Sequence, residues 1–427
     1  MGLSSVRQIF EIDYLTPKMV SAPKDRNHLY GVNLAFNGKE TQHSTHALHS
    51  YVAAINPPLV RALIDIYFPK GENILDPYCG GGGVLVEAIL SGRDCVGGDI
   101  NPLAAILSQA KTKFLPRNSI LEWGEKIKNL AHNRISAVET SVVNSHISFW
   151  FKENDLKNIL ALSEATKEII GEKRNLKPVF QTILSATIRD VMLTYRGEVR
   201  LRKLRGKDLD KFNPDTFKIY DKRLILAAER IGVLPKETVC NVALTDARIM
   251  PYKAGQFYGI ICSPPYADDK NGVGYFQFSK NMLAFLGFDG EELKKHRNLF
   301  HGMDKIDKNP PKSKTLSLSL SNVFKQDESK YQEAVAFYAD YAKTLEEMKR
   351  VVKKWIIIVI GNRVLARTAF DNVAITVDIF KNLGVELHDH YTREISKKRI
   401  PNLGGDGGGI SLEHVLVFKK EFQHQAP

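Results

Sequence analysis

The segment Asn73-Ile74-Leu75-Asp76-Pro77-Tyr78-Cys79-Gly80-Gly81-Gly82-Gly83 decides the fold of this chain. An apolar strand ends in an acidic residue and passes through a glycine loop into a helix predicted over residues 84–90. A second strand, Cys95-Val96-Gly97-Gly98, then ends in Asp99. Strand, glycine-rich turn, helix, strand and acid form a βαβ unit of the nucleotide-binding type. The sequence therefore predicts an α/β fold built on a parallel sheet.

The glycine loop differs from the common phosphate-binding motifs. Leu85 stands where Gly-x-Gly-x-x-Gly requires its third glycine, and no Gly-Lys-Ser/Thr follows as a P-loop requires. Asp76 would repel a pyrophosphate, whereas it suits a cationic or zwitterionic ligand such as the ammonium and sulfonium of S-adenosylmethionine. Asp99 suits ribose hydroxyls. A tight turn that binds nothing is the alternative, and we favour the ligand site.

A second signal is Ser263-Pro264-Pro265-Tyr266, which follows the apolar strand predicted over residues 257–262. The prolines end that strand because they have no N–H to donate to a neighbouring strand. Another predicted strand, over residues 239–244, is followed by Asp246. Because the carboxyl ends of parallel strands meet at one edge of the sheet, these polar residues predict a single site with Asp76 and Asp99.

Residues from about 113 to 235 interrupt the strand–helix alternation and have helical spacing of their apolar positions. The second half of this insertion is rich in basic residues around Tyr195. The candidate nucleic-acid contacts are Arg189, Arg196, Arg200, Arg202, Lys203 and Arg205, together with Arg399 at the entrance of a glycine-rich loop. Clustered cations with an aromatic residue suit phosphate contacts, and the formal charge of +12 favours a polyanionic partner. A solvated charged face is the alternative.

Composition restricts the remaining possibilities. The chain has 427 residues, of which 43% are hydrophobic and 25% charged, as expected of a globular protein. No run approaches the ~20 apolar residues that span a bilayer, and the N-terminal residues do not resemble a signal peptide, so we expect a cytoplasmic protein without membrane contact. The 4 cysteines are widely spaced and predicted to be reduced. His43, His46 and His49 have loose spacing and no interleaved carboxylate, so no metal site is predicted.

These motifs together resemble the S-adenosylmethionine-dependent amino methyltransferases of DNA, most closely the cytosine-N4 type, whose four-residue signature begins with serine. The loop from Asp76 to Gly82 is similar to the family's cofactor loop, with Tyr78 in the usual phenylalanine position. Gly83 departs from the commoner threonine or serine.

The resemblance implies a Rossmann-like seven-stranded sheet with helices on both faces, plus the mainly helical insertion. It implies direct methyl transfer to a flipped-out base in double-stranded DNA, with a cognate restriction endonuclease as a further partner. The implied catalytic residues are Ser263, Pro264, Pro265 and Tyr266. The implied S-adenosylmethionine contacts are Asp76, Pro77, Tyr78, Gly80, Gly82, Asp99, Ile100, Asp246, Ala247 and His49. Asp246 would contact the adenine amine, and the segment from His49 would close over the methionine end.

The predicted organisation is an N-terminal lead-in (1–44), a catalytic domain (45–113 and 238–427), a basic insertion (114–237) and a long loop near the active site (267–330). An insertion between the second and third strands is atypical for target recognition, so its role stays open. Adenine-N6 methylation of DNA, methylation of an RNA amine, and a non-catalytic nucleic-acid-binding module are the alternatives. The intact Ser263-Pro264-Pro265-Tyr266 argues against the last of these.

Overall fold

A computed structural model describes residues 34–171, 173–195, 201–267, 274–303, 309–395 and 412–421. Its centre is a seven-stranded sheet in the order β3-β2-β1-β4-β5-β9-β8. The strands are β1 (Ile74–Asp76), β2 (Cys95–Asp99), β3 (Cys240–Leu244), β4 (Phe257–Cys262), β5 (Val352–Ile360), β8 (Glu386–Glu394) and β9 (Leu412–Lys419). The first five pair in parallel, and β9 runs antiparallel between β5 and β8. This confirms the Rossmann-like α/β prediction. Two short strands, β6 (Arg363–Leu365) and β7 (Thr368–Phe370), form a separate hairpin.

Helices cover both faces of the sheet. Those of the methyltransferase-like part are α1 (Pro57–Tyr67), α2 (Gly83–Leu90), α3 (Pro102–Thr112), α10 (Tyr275–Phe285), α11 (Gly290–Asn298), α12 (Lys314–Phe324), α13 (Glu328–Val351) and α14 (Asn372–Asn382). Those of the insertion are α4 (Arg117–Arg134), α5 (Ser145–Ser148), α6 (Glu153–Ile170), α7 (Lys177–Val191), α8 (Lys207–Lys211) and α9 (Thr216–Ile231). Short 3₁₀ turns span Ser44–Leu48, Ile135–Ala137 and Thr140–Val142.

Each face of the sheet carries an apolar core, and alternating side chains of β5 contribute to both. Ile357 and Val359 pack with α1 and α2 on one face, whereas Ile356 and Ile358 pack with α12, α13 and α14 on the other. Successive residues of a strand point to opposite faces, so a strand buried on both sides is continuously apolar. The strand β5 is accordingly an interior strand, paired with β4 on one side and β9 on the other.

The insertion shares a core with helices that pack on the sheet. Its helices α4, α6, α7 and α9 contribute buried residues to one apolar cluster that also contains residues of α3 and α10. The insertion is therefore packed against the sheet's helical layer through an extensive apolar contact.

The segment 267–330 is more regular than the expected long loop. In its described part, α10, α11 and α12 occupy most of the length. Ser313 accepts from the Leu316 N–H as the cap of α12, and Leu316, Leu320 and Val323 give that helix a buried face. None of the helices in the described ranges combines the length and apolar character that crossing a membrane requires.

Candidate active site

The glycine loop leaves β1 through a tight turn. The carboxylate of Asp76 accepts from the Tyr78 N–H at 3.1 Å, and the Gly82 N–H donates to the Cys79 carbonyl at 2.7 Å. Gly80 and Gly82 have φ of 48° and 81°, which a side chain with a Cβ rarely adopts. Asp76 is 3% exposed, and burial raises its pKa well above the ordinary range. The loop thus places one buried carboxyl group, that of Asp76, next to a run of glycines whose backbone a ligand can approach closely.

Asp99, at the end of β2, reaches into the same loop. Its two carboxylate oxygens accept from the Gly80 N–H at 2.9 Å and from the Asn101 N–H at 2.8 Å. Burial raises the pKa of Asp99 to about 6. The Asn101 side chain caps α3 through the Leu103 N–H and also donates to the Tyr51 hydroxyl at 3.0 Å. Asp99 and Asn101 therefore join the glycine loop to the segment in front of it.

The carboxyl ends of β1, β2 and β4 line one pocket with an empty volume of about 750 Å³, including its open mouth. Seven of the predicted residues line it, namely Asp76, Tyr78, Gly80, Asp99, Ile100, Ser263 and Pro265. Pro77, Gly82, Pro264 and Tyr266 belong to the same two turns but lie outside the lining. The pocket confirms that the two sequence signals meet at one edge of the sheet.

The turn after β4 is fixed by contacts that Tyr266 makes with Glu413 and Asn372. Pro264 is buried, and the Ser263 Oγ lies 3.2 Å from the hydroxyl of Tyr266. That hydroxyl donates to Glu413 on β9 at 3.4 Å, and burial raises the pKa of Tyr266 well above its usual value. Asn372 contacts the Tyr266 carbonyl at 3.5 Å. Ser263 thus lines the pocket, and its hydroxyl contacts that of Tyr266, which in turn reaches Glu413.

Residues 51–55 close the pocket opposite the sheet, and the residues before them are firmly attached. Glu87 of α2 is 1% exposed; one of its oxygens lies 2.7 Å from His43 Nε2 and 2.8 Å from His46 Nε2. Its other oxygen accepts from Arg61 at 2.8 Å. Burial works against ionisation, but the two imidazoles and Arg61 lower the pKa of Glu87 to about 2. These distances are those of hydrogen bonds and ion pairs, with Arg61 as the counter-cation, so we assign the cluster to holding this segment in place.

The structure adds a wall that sequence reasoning missed. Phe300 and His301 line the pocket from the segment between α11 and α12. The Tyr78 hydroxyl lies 3.1 Å from His301 Nε2 and donates to Thr344 at 3.1 Å. Tyr275 of α10 also lines the pocket. Tyrosine in place of the family's usual phenylalanine at position 78 was the available signal, because only its hydroxyl makes these contacts.

Three predicted cofactor contacts lie away from the pocket lining. The carboxylate of Asp246 forms a bidentate pair with Arg248, at 2.6 Å from Nη2, and Ala247 is buried beside it. Arg248 also contacts the buried Asp340 at 3.0 Å. The His49 ring is 3% exposed and faces Ser185 of α7, and burial lowers its pKa to about 3. The geometry therefore gives no support to direct cofactor contacts by these side chains.

The basic cluster is partly described. The Arg202 guanidinium lies 4.4 Å from the Tyr195 ring, and the Lys203 amine lies 3.7 Å from the ring of Phe149, which is 53% exposed. Arg189 lies over Phe278, and Arg205 is exposed. Arg196, Arg200 and Arg399 lie outside the described residues. Within the insertion, Arg202 and Lys203 thus each lie over an aromatic ring.

Comparisons with known proteins find methyltransferases of DNA and of tRNA. A family model described as DNA methylase matches residues 11–109. The chain is 27% identical over 448 aligned residues to Type II methyltransferase M.MvaI of Kocuria varians, covering 95% of this chain and 97% of that protein. It is 32% identical over 73 residues to Type II methyltransferase M.MjaII of Methanocaldococcus jannaschii, which is 17% of this chain and 14% of that protein. A 52-residue stretch is 44% identical to a tRNA (guanine(10)-N2)-dimethyltransferase of Methanothermobacter thermautotrophicus, covering 12% of this chain and 16% of that protein.

Proposed function

We propose that this chain, which belongs to the S-adenosylmethionine-dependent amino DNA methyltransferase family, methylates the exocyclic N4 amine of cytosine in a specific DNA sequence. The family membership makes it a DNA methyltransferase with S-adenosylmethionine as methyl donor. The choice of cytosine rests on the serine at the head of the 263–266 turn. The observation that carries the proposal is the single pocket shared by Ser263, Asp76 and Asp99.

The pocket's donor and acceptor groups fit S-adenosylmethionine. Asp76 places a buried carboxyl group where a bound cation would favour its ionised form. Asp99 stands where ribose hydroxyls are bound in related folds. At Gly81 an added Cβ would meet Tyr51 Cβ at 2.7 Å, so the loop has no room for a side chain beside the closing segment. When bound, the cofactor supplies an electrophilic methyl group on a sulfonium sulfur.

The chain's own residues then act on the target amine. An exocyclic amine conjugated to its ring is a weak nucleophile, because its lone pair is delocalised. In the proposed mechanism the Ser263 hydroxyl and the Pro264 carbonyl accept the amine's hydrogens and direct the lone pair at the methyl carbon. The two prolines hold these acceptors before the reaction begins, so little reorganisation is required. S-adenosylmethionine held by these residues would give its methyl group to the amine nitrogen and leave as S-adenosylhomocysteine, and the proton that the nitrogen loses would pass to solvent.

Duplex DNA reaches such a pocket only by base flipping. Tyr266 is proposed to stack on the flipped base, and the Phe149–Lys203 surface of residues 114–237 to contact the phosphate backbone. Residues 45–113 and 238–427 form the proposed catalytic domain. A cognate restriction endonuclease is a proposed partner, in keeping with the name Type II methyltransferase of the relative from Kocuria varians.

Methyl transfer from tritiated S-adenosylmethionine tests this proposal. Purified protein is incubated with duplex DNA and, separately, with tRNA, and Ser263→Ala serves as the active-site variant. We expect label in DNA and a loss of at least about 100-fold in kcat for Ser263→Ala. Label confined to tRNA would instead support the RNA-amine alternative suggested by the 52-residue match.

A further inference from the structure

Glu413 on β9 touches the proposed catalytic turn through Tyr266. The Tyr266 hydroxyl donates to Glu413 Oε1 at 3.4 Å, and the same hydroxyl lies 3.2 Å from Ser263 Oγ. On the other side, Arg393 Nε lies 2.7 Å from Glu413 Oε2. Arg393 and Glu413 stand directly opposite each other in the β8–β9 pairing. A continuous line of four side chains thus runs from Ser263 to the last hairpin of the sheet.

Glu413 and Arg393 form an ion pair between the last two strands of the sheet. The side chains of Arg393 and Glu413 are only 12% and 19% exposed, so their ion pair is partly shielded from water. An ionised carboxylate has no proton and can only accept hydrogen bonds. Glu413 must therefore receive a proton from any hydroxyl that it contacts.

The direction of the next hydrogen bond follows from this. Tyr266 has one hydroxyl proton, which burial of the phenol retains by raising its pKa. Since that proton is donated to Glu413, the Tyr266 oxygen can only accept from Ser263. The Ser263 O–H is then directed at Tyr266, and the lone pairs of Ser263 Oγ are left for a ligand in the pocket.

We propose that Glu413 is a positioning residue that sets the hydrogen-bond polarity of Ser263, so that the serine accepts from the substrate amine. This inference rests on the proposed function, because it requires Ser263 to face the amine. Without the carboxylate, Tyr266 can donate its proton to Ser263, and the serine proton can then turn toward the amine. A donor in that place opposes attack, because the amine must give up its hydrogen-bond protons to an acceptor there.

Glu413→Gln tests the proposal, because its amide oxygen would pair with Arg393 and its NH2 group, a donor, would face the Tyr266 hydroxyl. Glu394→Gln is the matched control, an exposed glutamate on the opposing strand β8. We expect Glu413→Gln to lower kcat about 10- to 100-fold with the KM for S-adenosylmethionine and the thermal unfolding midpoint within error of wild type. Glu413→Asp, which retains the charge, should recover part of the loss, and Glu394→Gln should be unchanged.

The double variant Ser263→Ala/Glu413→Gln distinguishes an effect of Glu413 through Ser263 from an independent effect of Glu413. If Glu413 acts through Ser263, the double variant is no slower than Ser263→Ala alone. Additive losses, a wild-type kcat for Glu413→Gln, or an effect confined to KM or stability would overturn this inference and leave the proposed function standing. A fully active Ser263→Ala would overturn the proposed catalytic turn itself.

Discussion

Gly81→Ala is the sharpest test of how the proposed cofactor pocket is closed. The added Cβ would lie 2.7 Å from Tyr51 Cβ and 3.6 Å from Lys111 Nζ. Carbon atoms pack at about 3.5–4 Å, so Tyr51 must retreat by about 1 Å. A change of side-chain rotamer cannot relieve this contact, because the Cβ of Tyr51 is fixed to its own backbone. The segment that covers the pocket must therefore move.

Overpacking of this kind costs about 1–3 kcal/mol. If the cost falls on the closed, ligand-binding arrangement, the dissociation constant of the cofactor rises about 5- to 150-fold. The control is Gly290→Ala, at the start of α11, where an added Cβ meets no heavy atom within 4 Å. Calorimetric titration with S-adenosylhomocysteine measures both variants, and thermal unfolding without ligand reports the fold. Equal affinities of Gly81→Ala and Gly290→Ala would refute the proposed closure.

Three further variants test separate parts of the structure. Tyr78→Phe removes the hydroxyl that contacts His301 and Thr344, and steady-state kinetics should show a KM for S-adenosylmethionine raised about 3- to 10-fold. The control Tyr341→Phe loses a buried hydroxyl bonded to α14 and should leave that KM unchanged. Glu87→Gln should lower the free energy of unfolding by about 3 kcal/mol at pH 7, measured with denaturant, because it leaves the half-buried Arg61 and the buried His46 without the carboxylate that they contact. The pKa of Glu87 is depressed to about 2 from 4.5, so the wild-type advantage should be present above pH 4.5 and disappear as pH falls toward about 2. Lys203→Gln should weaken DNA binding and reduce by about 1 the slope of the logarithm of the binding constant against the logarithm of the salt concentration. Lys325→Gln, outside the insertion, should alter neither quantity. Equal slopes for the wild type and both variants would exclude Lys203 as a phosphate contact.

The sheet and the position of the pocket were predictable because both depend on local patterns. Apolar runs of strand length ending in Asp76, Asp99 and Ser263 place those residues at carboxyl ends, and parallel pairing brings the ends together. The prolines of the turn and the glycines of the loop end strands and form turns whatever the rest of the chain packs against them. Residue type and spacing were sufficient for this much.

The orientation of Asp246 was not predictable in the same way. Its strand end lies at the expected edge, but Arg248, two residues later, takes both carboxylate oxygens. Arg248 is in turn held by Asp340 on α13, far away in sequence. Strand periodicity locates a residue at an edge, whereas the partner of its side chain depends on non-local packing.

The wall formed by Phe300 and His301 and the role of Glu413 have the same origin. Both depend on contacts between segments separated by more than a hundred residues, such as Tyr78 with His301 and Tyr266 with Glu413. The helix α12 is a different case, because Ser313 followed by Leu316, Leu320 and Val323 is a cap and an apolar face that the sequence already contains. The segment was expected to be a loop, although its serines and leucines have the spacing of an amphipathic helix.

Identification of the methylated nucleoside decides between cytosine and adenine as the target base. Duplex DNA is incubated with the protein and S-adenosylmethionine, digested to nucleosides, and separated by liquid chromatography with mass detection. The serine-headed turn predicts N4-methyldeoxycytidine as the product, absent when Ser263→Ala replaces the wild-type protein. N6-methyldeoxyadenosine in the digest, or methylation found only when tRNA is the substrate, would contradict the proposed function.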